Sequence, residues 1–143
     1  MATLTMQARV ESHRAARFLQ VLVVGLTFAT AAIHASLGGL LFMANAVGYT
    51  TLAVALLVPG PIAGYRWLIR AGLIGFTMAT IAGWVLFGAR FQLAYIDKAI
   101  EVLLVATASF EMWRADGGPL AVARRALGLV HRIVAMALPR MAR

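Results

Sequence analysis

The chain has 143 residues, 62% of them hydrophobic and 13% charged, with a mean hydropathy of +0.87. A soluble domain averages roughly 45–50% apolar residues and one of this size leaves about a third of its surface in water, so composition excludes an ordinary soluble globule and points to lipid as the solvent. The formal charge of +8 comes without a nucleic-acid-binding motif, and the lack of Cys excludes disulfides, thiolate metal sites, iron–sulfur clusters and c-type haem attachment.

Residues 1–17 form an N-terminal segment with Arg9, Glu11, Arg14 and Arg17, read as a cytoplasmic extension of the first span. The first apolar run is about Phe18 to Leu37, too long for a signal-peptide core despite the Ala29-Thr30-Ala31 triplet. Gly38-Gly39 then makes a tight turn. The second run, about Leu40 to Val58, stops at Pro59-Gly60-Pro61, which breaks any helix. The third is about Trp67 to Ala89 and the fourth about Phe91 to Trp113. Each reaches the roughly 20 residues that cross a hydrocarbon core, and long unalternating runs imply helices rather than strands. The expectation is an all-α integral membrane protein, a four-helix bundle over residues 18–113 with up-down topology.

Orientation follows from arginine. Arg9, Arg14 and Arg17 precede the first span, Arg66 and Arg70 open the third, and Arg114, Arg124, Arg125, Arg132, Arg140 and Arg143 follow the fourth. The other side has only Arg90 and Lys98. The bias places both termini in the cytoplasm of a prokaryotic inner (plasma) membrane. Trp67 and Trp113 fall at the inner boundary, where indole rings prefer to sit, and Trp84 falls in the outer leaflet. Glu111, Arg114 and Arg70 lie at similar depth and suit an ion pair.

Residues 119–143 form a separate element. At about 100° per residue, Arg124, Arg125, His131 and Arg132 share one arc, while Leu120, Leu127, Val130, Ile133 and Val134 lie elsewhere. That is a basic amphipathic helix able to lie among lipid headgroups, with Arg124, Arg125 and Arg132 on the anionic surface. It could instead dock on a cytoplasmic partner.

In the third span Gly72, Gly75, Ala79 and Gly83 include a ladder of small residues, as do Ala44 and Gly48 in the second. Small residues let membrane helices approach closely, so the ladder is expected to pack within the bundle or to meet another subunit.

Depth singles out a second group. At about 1.5 Å per residue from the inner boundary, His34 and Asp97 are both about 24 Å up, Lys98 about 22 Å, Asn45 about 21 Å, Glu101 about 18 Å and Tyr49 about 15 Å. Ionisable groups at such depth are costly, about 2.5–3.5 kcal/mol each at a helix centre, so these side chains should face protein, or the fourth helix must project above the membrane. Asp97 and Glu101 share a helix face, and Lys98 can pair with either. The layer could fix helix register, hold a cation on His34, Asp97 and Glu101, carry protons, or touch a partner or bound lipid. Three ligands are few and Lys98 would repel a cation, so no metal is expected. With one intramembrane His, a bis-His haem is not expected either, nor any other cofactor. No Ser-His-Asp set, HExxH, P-loop or dinucleotide fingerprint is present, so no enzyme is expected.

His34, the stretch Asn45-Ala46-Val47-Gly48-Tyr49 and the stretch Tyr95-Ile96-Asp97-Lys98-Ala99-Ile100-Glu101 together resemble a loose group of small four-span prokaryotic membrane proteins of uncharacterised function. The resemblance covers roughly residues 18–113; it implies a four-helix fold with a shared polar layer and supplies no activity. The expected role is a non-catalytic accessory subunit packed against larger membrane proteins, with an electron-transport assembly as one setting. The rival is a small transporter or an ion-binding membrane protein using the His34, Asp97 and Glu101 layer.

Overall fold

A computed structural model describes the backbone of residues 2–141 and the side chains of residue 11 and residues 13–136. All regular structure there is helical: α1 (Ala2–Leu37), α2 (Leu40–Leu57), α3 (Arg66–Phe87), α4 (Gln92–Asp116) and α5 (Pro119–Met141), with a 3-10 turn at Gly60–Tyr65 before α3. The side chains of Arg9, Arg140 and Arg143, used above for orientation, lie outside the described residues.

Local chemistry sets the breaks. Gly38 and Gly39 take φ of 67° and 80°, a left-handed pair that reverses the chain between α1 and α2. Val58, held extended before Pro59, ends α2. Gly117 and Gly118 take φ of 83° and 86°, and the Gly118 N–H donates to the Met112 carbonyl, closing the end of α4. The first helix starts well before Phe18 and runs without interruption from the N-terminal segment into the apolar run. The fourth continues past Trp113 to Asp116, because its chain reversal waits for the glycine pair.

The first four helices close a ring: α1 packs on α2 and α4, and α3 packs on α2 and α4. Gln20 on α1 donates to the Leu56 carbonyl of α2 at one end, while residues 30 and 34 of α1 meet residues 97 and 101 of α4 toward the other. Val23, Val24, Ala31, Tyr49, Leu56, Leu73, Leu104 and Ala108 form the core.

Three helices, α1, α2 and α3, are long and apolar enough to cross a membrane. α4 fails that composition test because of its inward face, which buries Asp97, Lys98, Glu101 and Glu111. Its outward face tells a different story. From Tyr95 to Trp113 every fully exposed position is apolar or aromatic: Tyr95, Ile96, Ala99, Val102, Leu103, Ala106, Phe110 and Trp113.

Of the two expectations for the small-residue ladder of α3, packing within the bundle is not met. Gly72, Gly75, Ala79 and Gly83 are all exposed, and a side-chain carbon added at Gly75 or Gly83 would meet nothing within 4 Å. Leu73 and Thr77 instead turn inward, so the bundle is packed by the neighbouring face of α3. The tight approach is at Gly48 of α2, where an added carbon would stand 2.7 Å from the Phe76 ring. α5 packs against α3 and α4. Its Arg124, Arg125 and Arg132 are exposed, and so are Leu120, Leu127, Val130, Ile133 and Val134; among the described residues nothing covers its apolar face.

Candidate functional site

The polar layer converges on Glu101, which has no exposed surface. Its Oε2 accepts from Lys98 Nζ at 2.6 Å, and its Oε1 accepts from the Tyr49 hydroxyl at 2.8 Å. The Thr80 hydroxyl stands 3.0 Å from the same Oε1 and also reaches the Tyr49 oxygen at 2.9 Å. Asp97, one turn away on α4, accepts from Thr30 at Oδ1 (2.7 Å), and its Oδ2 is ion-paired with Lys98 Nζ at 3.0 Å. One ammonium thus bridges two carboxylates, and all four helices of the ring contribute to the network.

His34 joins through geometry that fixes one of its nitrogens. Its Nδ1 lies 3.0 Å from the Thr30 main-chain carbonyl oxygen. A carbonyl only accepts, so Nδ1 carries a hydrogen and donates it. Nε2 then faces Glu101 Oε1 at 3.9 Å, beyond hydrogen-bond reach, although the residue is only 2% exposed. Lys98 has three N–H bonds; one donates to Glu101, the ammonium is also ion-paired with Asp97, and donor capacity is left over among the described residues.

Of the side chains expected in this layer, His34, Tyr49, Asp97, Lys98 and Glu101 therefore come together. Asn45 does not join the network: it makes no hydrogen bond among the described residues and lines the adjoining cavity. Thr30 and Thr80 are the members that sequence reasoning missed. Thr30 lies one turn before His34, a cue that depth counting alone does not use.

A half-enclosed cavity of about 430 Å³ lies against this network. Phe42, Phe76, Trp84, Phe87 and Phe91 wall it, with Ala79 and Gly83 of the small-residue ladder alongside. Its polar groups are few: His34, Asn45, Thr80 and Lys98. At the rim Trp84 donates to the Ala89 carbonyl at 3.1 Å, packs edge-on to Tyr95, and carries the Arg90 guanidinium 4.1 Å above its ring.

The cluster can be tested as a metal site. One ligand atom each from His34, Asp97 and Glu101 lie within 4.8 Å of one another, a donor set chemically suited to Zn²⁺, Mn²⁺ or Fe²⁺. Each carboxylate oxygen already has a donor or cation against it, however. Thr30 donates to Asp97 Oδ1, Tyr49 donates to Glu101 Oε1, and the Lys98 ammonium holds the other two oxygens. A metal ion would have to displace these donors and sit beside a fixed positive charge, so the arrangement does not fit one. What it offers is unused donor capacity on Lys98 and an unpaired His34 Nε2, both at a cavity wall.

A second polar group occupies the opposite end of the bundle. Arg70 donates to Glu111 Oε1 and to Asp116 Oδ2, each at 2.9 Å, and all three residues are buried. The expected pair of Arg70 with Glu111 is thus present and Asp116 completes it, while the Arg114 guanidinium lies toward the Phe110 ring. No protein family, curated protein or solved structure matches the chain.

Proposed function

We propose that the protein is a non-catalytic membrane protein that binds a neutral, lipid-soluble molecule in the outer cavity, with the ligand's carbonyl or hydroxyl oxygen held by Lys98. The observation that carries this reading is the spare donor capacity of Lys98 at the wall of a largely apolar, aromatic-lined cavity, with the unpaired Asn45 amide beside it. Ligand sites are commonly apolar hollows of about 300–1,000 Å³ with a few convergent polar groups. A ligand hydroxyl can accept from Lys98 and donate to the His34 Nε2 lone pair. A ligand carbonyl can take the Lys98 hydrogen bond alone. A ligand carboxylate would add charge to a layer in which two carboxylates already face one ammonium, so a neutral polar end fits better. Quinones and quinols belong to this class, which connects the reading to an electron-transport setting.

In this reading α4 is a fourth span, supported by its continuous apolar outward face and by a length of about 37 Å at 1.5 Å per residue. Both termini then lie on the cytoplasmic side of a prokaryotic inner membrane, supported by the arginines gathered at one end.

The test uses the fluorescence of Trp84 in purified, detergent-solubilised protein, with Trp67 and Trp113 replaced by Phe. A short-tailed benzoquinone should quench it saturably, and the alkyl tail without the ring should not. Lys98→Met should weaken quinone binding about tenfold, since a hydrogen bond to a charged group contributes roughly 1.5–3 kcal/mol. Equal response to the bare alkyl chain, or indifference to Lys98→Met, would sink the proposal.

A second reading, an accessory subunit of a larger membrane assembly, is favoured by one observation: the ladder of Gly72, Gly75, Ala79 and Gly83 stands exposed on α3. Mild-detergent extraction followed by native mass spectrometry would reveal partners in stoichiometric amount.

A further inference from the structure

At the end of the bundle opposite the cavity, a smaller hollow of about 220 Å³ lies between α1, α3 and α4. His13, Arg17, Arg70, Glu111 and Arg114 line it. Three guanidinium groups line it beside a single carboxylate, Glu111. Arg70 is buried and spends both terminal nitrogens on Glu111 and Asp116, while its Nε and Glu111 Oε2 are buried without partners and closed off from the hollow. Arg17 and Arg114 are exposed at the rim and free of those pairs, so basic groups outnumber acidic ones at the opening. An anion with several oxygens can accept from both, and planar guanidinium groups suit phosphate oxygens.

The surface beside the hollow tells which anion. One turn toward the membrane centre from Arg17 stands Val21, 69% exposed, and one turn from Arg114 in the same direction stands Phe110, 54% exposed. A headgroup seated between the two arginines therefore has bare apolar side chains directly below it, on which acyl chains can lie. We infer that this hollow binds the phosphodiester headgroup of an anionic phospholipid, whose negative charge meets the arginines at the rim. Basic pockets between membrane helices commonly take such headgroups. The site shares no residue with the outer cavity, so it stands or falls independently of the function proposed above.

The experiment uses the full chain in a neutral detergent, with phosphatidylglycerol, phosphatidylcholine and inorganic phosphate added separately. Native mass spectrometry counts retained lipid, and a thermal melt reads stabilisation. Phosphatidylglycerol should be retained and should raise the Tm, while phosphatidylcholine and inorganic phosphate should not. Arg17→Gln with Arg114→Gln should weaken retention about fivefold for each arginine removed. Both side chains are exposed and take no part in the Arg70 pairs, so the fold should persist. An Arg124→Gln, Arg125→Gln, Arg132→Gln variant should retain the lipid like the parent. Retention unchanged by the Arg17 and Arg114 substitutions, or lost equally with the α5 arginines, would overturn the site. Equal stabilisation by inorganic phosphate would overturn the lipid assignment in favour of a free phosphate.

Discussion

Replacing Lys98 with Met removes the one ammonium that bridges Asp97 and Glu101 while leaving the volume of the side chain nearly unchanged. Both carboxylates are buried, at 2% and 0% exposure, and they would then depend on Thr30, Tyr49 and Thr80 alone. Breaking a buried pair by removing one partner typically destabilises by about 3–5 kcal/mol, because the surviving charge is left without compensation. Lys98 borders a half-enclosed cavity that can admit water, which argues for the lower end, about 3 kcal/mol. Against a total stability of roughly 5–15 kcal/mol, that is a loss a thermal melt in detergent resolves easily, on the order of 10 °C. Glu101→Gln combined with Lys98→Met removes a charge of each sign and should recover part of the loss. Both singles and the double form a cycle whose coupling should be about 1–3 kcal/mol. A neutral Lys98→Met, or a double equal to the sum of the singles, would refute the reasoning, since the three groups would then not be acting as one buried unit.

Other substitutions test other parts of the fold. Arg70→Met should destabilise by about 3–5 kcal/mol by stranding Glu111 and Asp116, whereas Arg125→Gln, whose contact with Asp116 is 3.9 Å and half exposed, should change stability by less than about 1 kcal/mol in the same melt. Gly48→Val should cost about 1–3 kcal/mol by driving a side chain into the Phe76 ring, while Gly75→Val on the open face of α3 should melt like the parent. Changing Arg124, Arg125 and Arg132 together to Glu should release a tail peptide from anionic vesicles in a sedimentation assay; equal binding to neutral vesicles would assign the tail to its apolar face instead. Reporter fusions after Met136 should read cytoplasmic and a fusion at Gly38-Gly39 exterior, and the reverse pattern would overturn the orientation.

Much of the architecture was legible because membrane helices announce themselves by length and because charged residues are rare enough in apolar runs to be informative. Matching depths brought His34, Tyr49, Asp97, Lys98 and Glu101 into one layer. Depth says nothing about reach, however, and Asn45, at the same level, lines the cavity without joining the network. Thr30 was invisible for a different reason. A helical threonine ordinarily turns its hydroxyl back to the carbonyl four residues earlier, as Thr27, Thr77 and Thr107 do. Thr30 crosses to Asp97 instead, and only the neighbouring helix decides that. The ladder of α3 was left open between bundle packing and a partner surface because small residues are equally compatible with close packing and with an open face. Leu73 and Thr77, not the glycines, set which side of α3 turns inward. Asp116 lies beyond the Trp113 boundary expected for the fourth span, yet α4 carries it round to the buried arginine before Gly117 ends the helix.

The space between the two polar groups bears on the rival transporter reading. Glu101 marks the lower edge of one group, and the Arg70 pairs with Glu111 and Asp116 form the other. Between them lie Leu56, Leu73 and Leu104, together with Ala53 and Ala108, all fully buried or nearly so. Three hydroxyls are also buried in the bundle, Thr27, Thr77 and Thr107, and each donates its single hydrogen to a carbonyl of its own helix. A proton relay needs each group to pass a hydrogen onward, and these hydrogens point back along the helices. A hydrated path for an ion would have to part the leucine layer, which close packing resists. The outer network therefore fits the proposed site as one reached from a single side, in which a ligand would enter and leave through the cavity beside Lys98 and His34. The inner network holds α4 against α3 and steadies the start of α5 through Asp116. Each end of the bundle thus has its own cross-helix anchor, and the apolar layer between them isolates one from the other.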